Sequence, residues 1–370
     1  MTDTTARRPP APPPPPLSLS LLLDPPAMPT TNPFNTQFDL IAVGSPIMDL
    51  LARVPDVFLA HLHGKKGGME LIDAVEMERL VSTLPQPPVA AAGGSAGNTA
   101  CTCARLGLHT TFLGKLGDDA TARAYRDHFI ALGGDASRFK YADLSNARCL
   151  SLITPDGQRT MRTCLAAAMT LVPHEISPSD FARCRHAHIE GYLLFNRSLA
   201  EAVLHAARVA GCTISIDLAS FEVVNSSRAW LLAQIQKGID AVFANEDEIR
   251  ALFPDAGPAP DYGALTRRLA ALAPVTAAVK IGKDGAWVAR GTELQRIAPI
   301  PALQVIDTTG AGDAWAAGFI CGRLRGWSLA KAGALGSLLG SECVQHLGPG
   351  IPDHRWADIH LAAHQIGAAR

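Results

Sequence analysis

From Phe38 onward the chain alternates short β-branched or apolar runs with Ala-rich stretches whose apolar residues recur at helical spacing. The runs Leu40 to Val43, Thr110 to Leu113, His186 to Ile189, Thr213 to Asp217, Ala241 to Ala244 and Ala277 to Ile281 are each long enough for one buried strand. Leu199 to Val209, Asp247 to Phe253 and Tyr262 to Leu272 carry the three-to-four periodicity of amphipathic helices. Strands and helices in alternation predict βαβ units, and so an α/β fold: a three-layer, doubly wound, mainly parallel sheet.

Two stretches break that rhythm. Asp49 to Val54 and Arg148 to Arg162 read as extended, and the second holds Pro155-Asp156-Gly157, a turn signal between Leu150 to Thr154 and Gln158 to Thr163. Strands inserted between βαβ units do not readily join the central sheet, so they are expected to form a small β-strand lid, from segments about 48–72 and 146–165. Such a lid would shield a reaction from water. The expected layout is a disordered Pro-rich tail over residues 1–36 and a folded domain over 37–366. Pro9 to Pro16 is nearly all proline, which breaks any helix and argues against an export signal. Met28 is a candidate alternative start, which leaves open whether residues 1–27 are in the mature protein.

Composition narrows the partners. The chain has 370 residues, 48% hydrophobic and 18% charged, enough for one large core. Its formal charge is -1, with lysines and arginines scattered, so no basic stripe points to nucleic acid and no long apolar span to a membrane. Small-molecule ligands and a cytoplasmic location are expected. Eight dispersed cysteines without zinc-ligand spacing read as reduced core residues. The pairs His61/His63 and His186/His188 lack a third ligand and read as surface or satisfied histidines. No GxxxxGK[ST] string is present, and no GxGxxG follows the first strand.

The candidate chemistry lies in residues 305–319, Val-Ile-Asp-Thr-Thr-Gly-Ala-Gly-Asp-Ala-Trp-Ala-Ala-Gly-Phe: a strand end, a small-residue turn and an apolar helix. Gly310, Ala311 and Gly312 let a ligand approach the main chain at a helix N-terminus, where free N–H groups and the dipole favour an anion. Asp313 in the first turn can take a proton from an attacking hydroxyl as a phosphoryl group arrives. Taken alone, Gly-Ala-Gly-Asp is equally a plain turn with a capped helix. Asp307, Thr308 and Thr309, at the strand's carboxyl end where open α/β sheets bind ligands, favour the functional reading.

The string Asp-Thr-Thr-Gly-Ala-Gly-Asp resembles the signature of the ribokinase, or phosphofructokinase-B, family of carbohydrate and nucleoside kinases. Gly93-Gly94-Ser95-Ala96-Gly97-Asn98-Thr99-Ala100, with Arg105-Leu106-Gly107 and Gly114-Lys115-Leu116-Gly117-Asp118-Asp119, is similar to the family's N-terminal signature, although Ala120 and Thr121 replace glycine after it. The resemblance spans about Phe38 to Pro352 and implies an ATP-dependent phosphotransferase with an alcohol acceptor. It implies that Asp313 is the base, with Gly310, Ala311 and Gly312 as the anion hole. Asn245 and Glu248 match an Asn-x-x-Glu element that organises Mg2+ through its waters; by itself this is an ordinary helix cap with acidic residues behind it. Lys280, Gly282 and Gly285 resemble the nucleotide-binding strand and turn, where a plain β-turn explains the glycines equally well. On the acceptor side, Asp49, Gly93, Gly94 and Asn98 match the residues that hold sugar hydroxyls. Asp307 and Thr309 match positions around a monovalent-cation site, which suggests K+.

Gly44-x-Pro46-x-x-Asp49, Gly157-Gln158-Arg159-Thr160 and Glu190-Gly191-Tyr192 look closest to the adenosine kinase branch, with Tyr192 or Phe195 as an aromatic wall for adenine. A sugar kinase of the ribose or fructose type is the alternative. A non-catalytic ligand-binding protein and a nicotinamide-dependent oxidoreductase stand further off. Lid strands with an exposed edge allow a homodimer, and a monomer fits equally well.

Overall fold

A computed structural model describes residues 37–60, 62–156 and 158–369. The Pro-rich segment 1–36 lies outside the described residues, as do His61, Gly157 and Arg370. The central sheet has eight strands in the order Glu293–Ile297, Ala286–Arg290, Thr276–Lys280, Ala241–Ala244, Thr213–Asp217, Cys184–Glu190, Phe38–Val43 and Thr110–Leu113. Six of them run parallel, and the two beyond Thr276–Lys280 return antiparallel as a meander.

Helices cover both faces. On one, Arg197–Val209, Phe221–Gln236, Glu246–Leu252 and Tyr262–Ala270 bury Val203, Leu231, Ile249 and Leu269 against the strands. On the other, Ala311–Leu324, Leu329–Cys343 and Trp356–Ala368 bury Trp315, Phe319, Leu335 and Ile359. A sheet covered on both sides reads as near-continuous apolar runs, which is why its strands were visible in the sequence.

A second sheet has five strands, in the order Met69–Leu71, Arg159–Cys164, Arg148–Ile153, Met48–Arg53 and Val89–Ala92. Both stretches that broke the βαβ rhythm belong to it. The hairpin pairs Ile153 with Arg159, and Asp156 Oδ1 accepts from Thr154 Oγ1 at 2.6 Å and Gln158 N at 3.1 Å. This sheet has its own core, with Leu50, Leu152, Phe112, Tyr125 and Phe129.

The expected elements recur with shifted ends. Strands begin at Phe38 and Cys184 rather than Leu40 and His186, and one spans Thr276–Lys280 rather than Ala277 to Ile281, because ladder bonds continue past the apolar run. The meander Ala286–Arg290/Glu293–Ile297 escaped the pattern, since Gln295 and Arg296 interrupt its alternation. The helix Ala311–Leu324 is buried continuously from Ala314 to Gly322, so it shows no polar face. His186 and His188 are core residues: Ser215 Oγ bridges His186 Nε2 at 2.7 Å and His188 Nδ1 at 2.8 Å, and Thr213 Oγ1 completes His186 through Nδ1, whereas His188 Nε2 is buried without a hydrogen-bond partner among the described residues. Burial pushes both imidazoles down, to about 3 and about 4, so both stay neutral.

Candidate active site

Parallel strands all end on one side, and in this sheet they bring polar groups there. Gly44 and Ser45 follow Phe38–Val43, Glu190 ends Cys184–Glu190, Asp217 ends Thr213–Asp217, Asn245 follows Ala241–Ala244 and Lys280 ends Thr276–Lys280. That edge is where open α/β sheets bind ligands.

The helix Ala311–Leu324 enters the same edge. Gly310 precedes it in the left-handed region at φ 73, and a Cβ there would lie 2.6 Å from Pro349 Cβ, so only glycine fits on two counts. Gly318 packs so closely on the helix Leu329–Cys343 that a Cβ would lie 2.8 Å from Gly336 N, which fixes the helix in place. At the start of this helix the Ala311 N–H turns back to Thr308 O at 3.3 Å, and first-turn N–H groups without an intrahelical acceptor favour an anion at the turn.

Asp313 sits in that first turn. Its Oδ1 accepts from Ser95 Oγ at 2.7 Å and its Oδ2 from Asn98 Nδ2 at 2.8 Å. Ser95 and Asn98 are three apart on the helix Ser95–Arg105 and so share a face. Desolvation raises the Asp313 carboxyl to about 6, helped by the charge of Asp217 and opposed by Asn98, Ser95 and Lys280.

Lys280 lies beneath the turn, its Nζ 3.1 Å from where a Cβ on Gly312 would stand. It pairs with Asp217 at 2.7 Å, and both side chains are largely buried. Burial works against the lysine charge, but Asp217 and Glu248 outweigh it and hold the ammonium above its ordinary pKa. Asn245 and Glu248 form a reciprocal cap: Glu248 takes Asn245 N at 2.8 Å and Nδ2 at 2.7 Å, and gives its own N–H to Asn245 Oδ1 at 2.9 Å. Burial and then Asp217 raise Glu248 to about 7.

Asp49 lies against bare main chain, since a Cβ on Gly93 would be 2.4 Å from its Oδ2. Burial raises it to about 7, Arg159 opposes, and Asp313 and Asp307 add to the rise. Asp307 Oδ1 takes Thr309 N at 3.0 Å and Oγ1 at 2.9 Å, Oδ2 takes Gly348 N at 2.7 Å, and Arg159 Nη1 stands 3.1 Å away. The Asp307 carboxylate is thus spent on bracing the turn.

The structure brings Asp313, Gly310, Ala311, Gly312, Lys280, Asp49, Gly93, Asn98, Asp307 and Thr309 into one region. Gly94 starts the Ser95–Arg105 helix at φ 84. Tyr192 projects with 44% exposure, and burial of its hydroxyl together with Glu190 and Glu248 pushes the phenol up. Gly282 opens a short 3-10 turn near Glu246. Gly285, at φ 94, would put a Cβ 2.2 Å from Ile297 O, which accounts for this glycine without a ligand.

Sequence reading gave no role to Ser95, Glu190, Asp217 or Arg159. Asp217 and Glu190 stand in the sequence only as charged residues closing apolar runs, a signal that does not separate a ligand-facing residue from a solvated one. Asp49, Glu190, Asp217, Glu248 and Asp313 converge on this region with Lys280 and Arg159 to balance them. Among the described residues no group of three or more His, Cys, Asp or Glu side chains could hold a metal ion directly, which leaves contact with a magnesium ion through its own water shell. A cavity of about 320 Å³ opens beside Asn98 and Gly93, walled by Cys101, Tyr125 and Trp356.

A family model described as pfkB family carbohydrate kinase matches residues 67–356. The fold superposes on the adenosine kinase of Sinorhizobium meliloti with a TM-score of 0.77 and 32% identity, covering 89% of this chain and 99% of that one. A probable sugar kinase from Rhizobium etli gives the same TM-score of 0.77 and 32% identity, over 90% and 99% of the two chains. The adenosine kinase of Saccharomyces cerevisiae is 26% identical over 334 residues, 85% of this chain and 97% of the relative.

Proposed function

The chain belongs to the pfkB family of carbohydrate kinases, and from that premise we propose that it phosphorylates the primary hydroxyl of a nucleoside, adenosine first, with Asp313 as general base. Members of the family are ATP-dependent phosphotransferases acting on hydroxyl groups of sugars or nucleosides, and this chain is such a kinase. The observation that carries the assignment of the base is the Asp313 carboxylate, gripped by Ser95 and Asn98 beside a helix N-terminus and above a buried lysine.

In this reading Asp49, Gly93, Gly94 and Asn98 hold the sugar hydroxyls and aim the primary hydroxyl at Asp313. Asp313 takes the hydroxyl proton as the oxygen forms its bond to the γ-phosphorus of ATP, and the bond to the ADP oxygen breaks. The amides of Gly310 to Gly312 and the Lys280 ammonium receive the charge on the transferring group. Gly282 leaves room for the nucleotide. Asn245 and Glu248 would hold magnesium through its water shell, where the ion neutralises triphosphate charge. Asp307 and Thr309 are the candidates for organising a monovalent cation behind the turn, through main-chain oxygens, because the Asp307 carboxylate is already engaged. The second sheet, bearing Asp49 and Arg159, acts as the cover that excludes water.

Adenosine is favoured by the likeness to the Sinorhizobium meliloti enzyme and by the exposed Tyr192 ring at the mouth of the site. The equal likeness to the Rhizobium etli probable sugar kinase supports a sugar as the second reading. The test is kcat/KM with Mg-ATP across adenosine, inosine, ribose and fructose. Adenosine is expected to lead ribose and fructose by about tenfold or more; a sugar in first place moves the sugar-kinase reading ahead.

Tyr192→Leu separates the two readings further. Loss of a stacking face worth about 1–3 kcal/mol is expected to raise KM for adenosine about tenfold and to leave that for ribose unchanged. Equal effects on both would remove the aromatic-wall role.

The pH profile follows from the base. Asp313 must be ionised to accept a proton, so kcat/KM for the acceptor is expected to fall as pH drops through about 6. Asp49 and Glu190 titrate near 7 in the same region, so the limb reports the coupled group. A flat profile down to about pH 4.5, checked by steady-state rates with folded protein, would sink the assignment.

A further inference from the structure

We propose that Glu190 is a positioning residue: its buried carboxylate caps the helix Ser95–Arg105 from outside and ties to it the loop that leads to Asp49. The proposal rests on the reading of Asp313 as base. That helix begins at Gly94, which has no side chain to cap it, and the Ser95 hydroxyl and the Asn98 NH2 group in its first turn both donate to Asp313 instead. Glu190 supplies what is missing. Its Oε2 accepts the Ala96 N–H at 3.1 Å and its Oε1 the Ser45 N–H at 2.8 Å. A carboxylate at a helix N-terminus gains both a charge-assisted hydrogen bond and the favourable dipole.

The neighbouring glycines are fitted to this arrangement. A Cβ on Gly44 would lie 2.3 Å from the Glu190 carboxyl group, and one on Gly94 would lie 2.2 Å from Ser45 O. Gly93 N donates to Ile47 O at 2.8 Å, so the two loops also meet through main chain. One side chain at the end of Cys184–Glu190 therefore joins the loop before Asp49 to the helix whose Ser95 and Asn98 hold Asp313. The residue is 2% exposed, and what its carboxylate meets is the Ala96 and Ser45 main-chain amides and the Ser45 side chain rather than a cation. A buried carboxylate of that kind is costly, and packing alone would be better served by an uncharged residue. Glutamine cannot replace it: with one acceptor oxygen, its NH2 group would face one of the two N–H donors. Aspartate is one methylene shorter and reaches one amide.

The test compares wild type, Glu190→Gln, Glu190→Asp and Asp313→Asn with the acceptor that leads the substrate series, alongside thermal unfolding. Glu190→Gln is expected to raise the acceptor KM about tenfold or more, with the KM for ATP within about twofold, and Glu190→Asp to fall between it and wild type. Folded Glu190→Gln with acceptor kinetics within about twofold of wild type overturns the proposal, and so does an equal rise in both KM values, which would mark general damage. If Glu190→Gln does not fold, Glu190→Asp decides by the same comparison. Asp313→Asn inactive beside a normal Glu190→Gln removes this proposal alone. A wild type that phosphorylates no acceptor, or an active Asp313→Asn, removes the reading of the site and this proposal with it.

Discussion

Asp313→Asn is expected to lower kcat for acceptor phosphorylation by about 10²–10⁴-fold, the range for loss of a positioned general base. The substitution keeps the shape of the side chain. Its amide oxygen still accepts from Ser95 Oγ, now 2.7 Å from Oδ1, and Asn98 can turn its own amide to present an oxygen to the new NH2. The helix start and the anion turn are untouched, so KM for ATP should stay near the wild-type value and the loss should appear in kcat. Stability points the other way. The native carboxyl is held at about 6 by desolvation, so its ionised form is disfavoured in the fold. Its contribution to stability is present below the ordinary carboxylate pKa and lost as pH rises through about 6. Removing the charge should therefore leave the thermal midpoint at pH 7.5 equal to wild type or above it. A variant that keeps kcat within tenfold of wild type would show that proton acceptance lies elsewhere, with Asp49 the next candidate.

How far the sequence shows this site depends on what kind of residue is in question. The turn Gly310-Ala311-Gly312-Asp313 is legible because its glycines are forced by backbone geometry: Gly310 at φ 73 and packed on Pro349 admits no side chain. The parallel strands are legible because burial on both faces leaves unbroken apolar runs. Asp217 and Glu190 are not, since a charged residue ending a strand looks the same whether it faces water or a ligand. Their meaning comes from partners 63 residues away for Asp217 and 145 and 94 for Glu190, which no local pattern carries. Arg159 was visible only as part of a hairpin, and its pairing with Asp307 depends on how the second sheet meets the first. Gly285 shows the converse. A glycine read as room for a nucleotide is explained by its φ of 94 and by the Ile297 carbonyl.

Lys280→Met is expected to lower kcat by about 10²–10³-fold if, as proposed, the lysine supplies a fixed positive charge to the transferring phosphoryl group. Methionine matches the length of the lysine stem and keeps its packing. The variant also strands Asp217, whose carboxylate now pairs with Lys280 at 2.7 Å and is 5% exposed, beside Glu248. Breaking a buried pair from one side costs about 3–5 kcal/mol, so a fall in activity alone would not distinguish a phosphate ligand from a counter-ion of Asp217. The double variant Asp217→Asn/Lys280→Met removes both charges and should restore most of the lost stability, read as the urea midpoint at unchanged slope. Stability and rate then part company. If Lys280 stabilises the transferring phosphate, the double variant melts near wild type and stays slow, with the acceptor KM little changed. Recovery of kcat together with stability would mean that the lysine serves only to neutralise Asp217, and that the main-chain amides of Gly310 to Gly312 carry the charge without it.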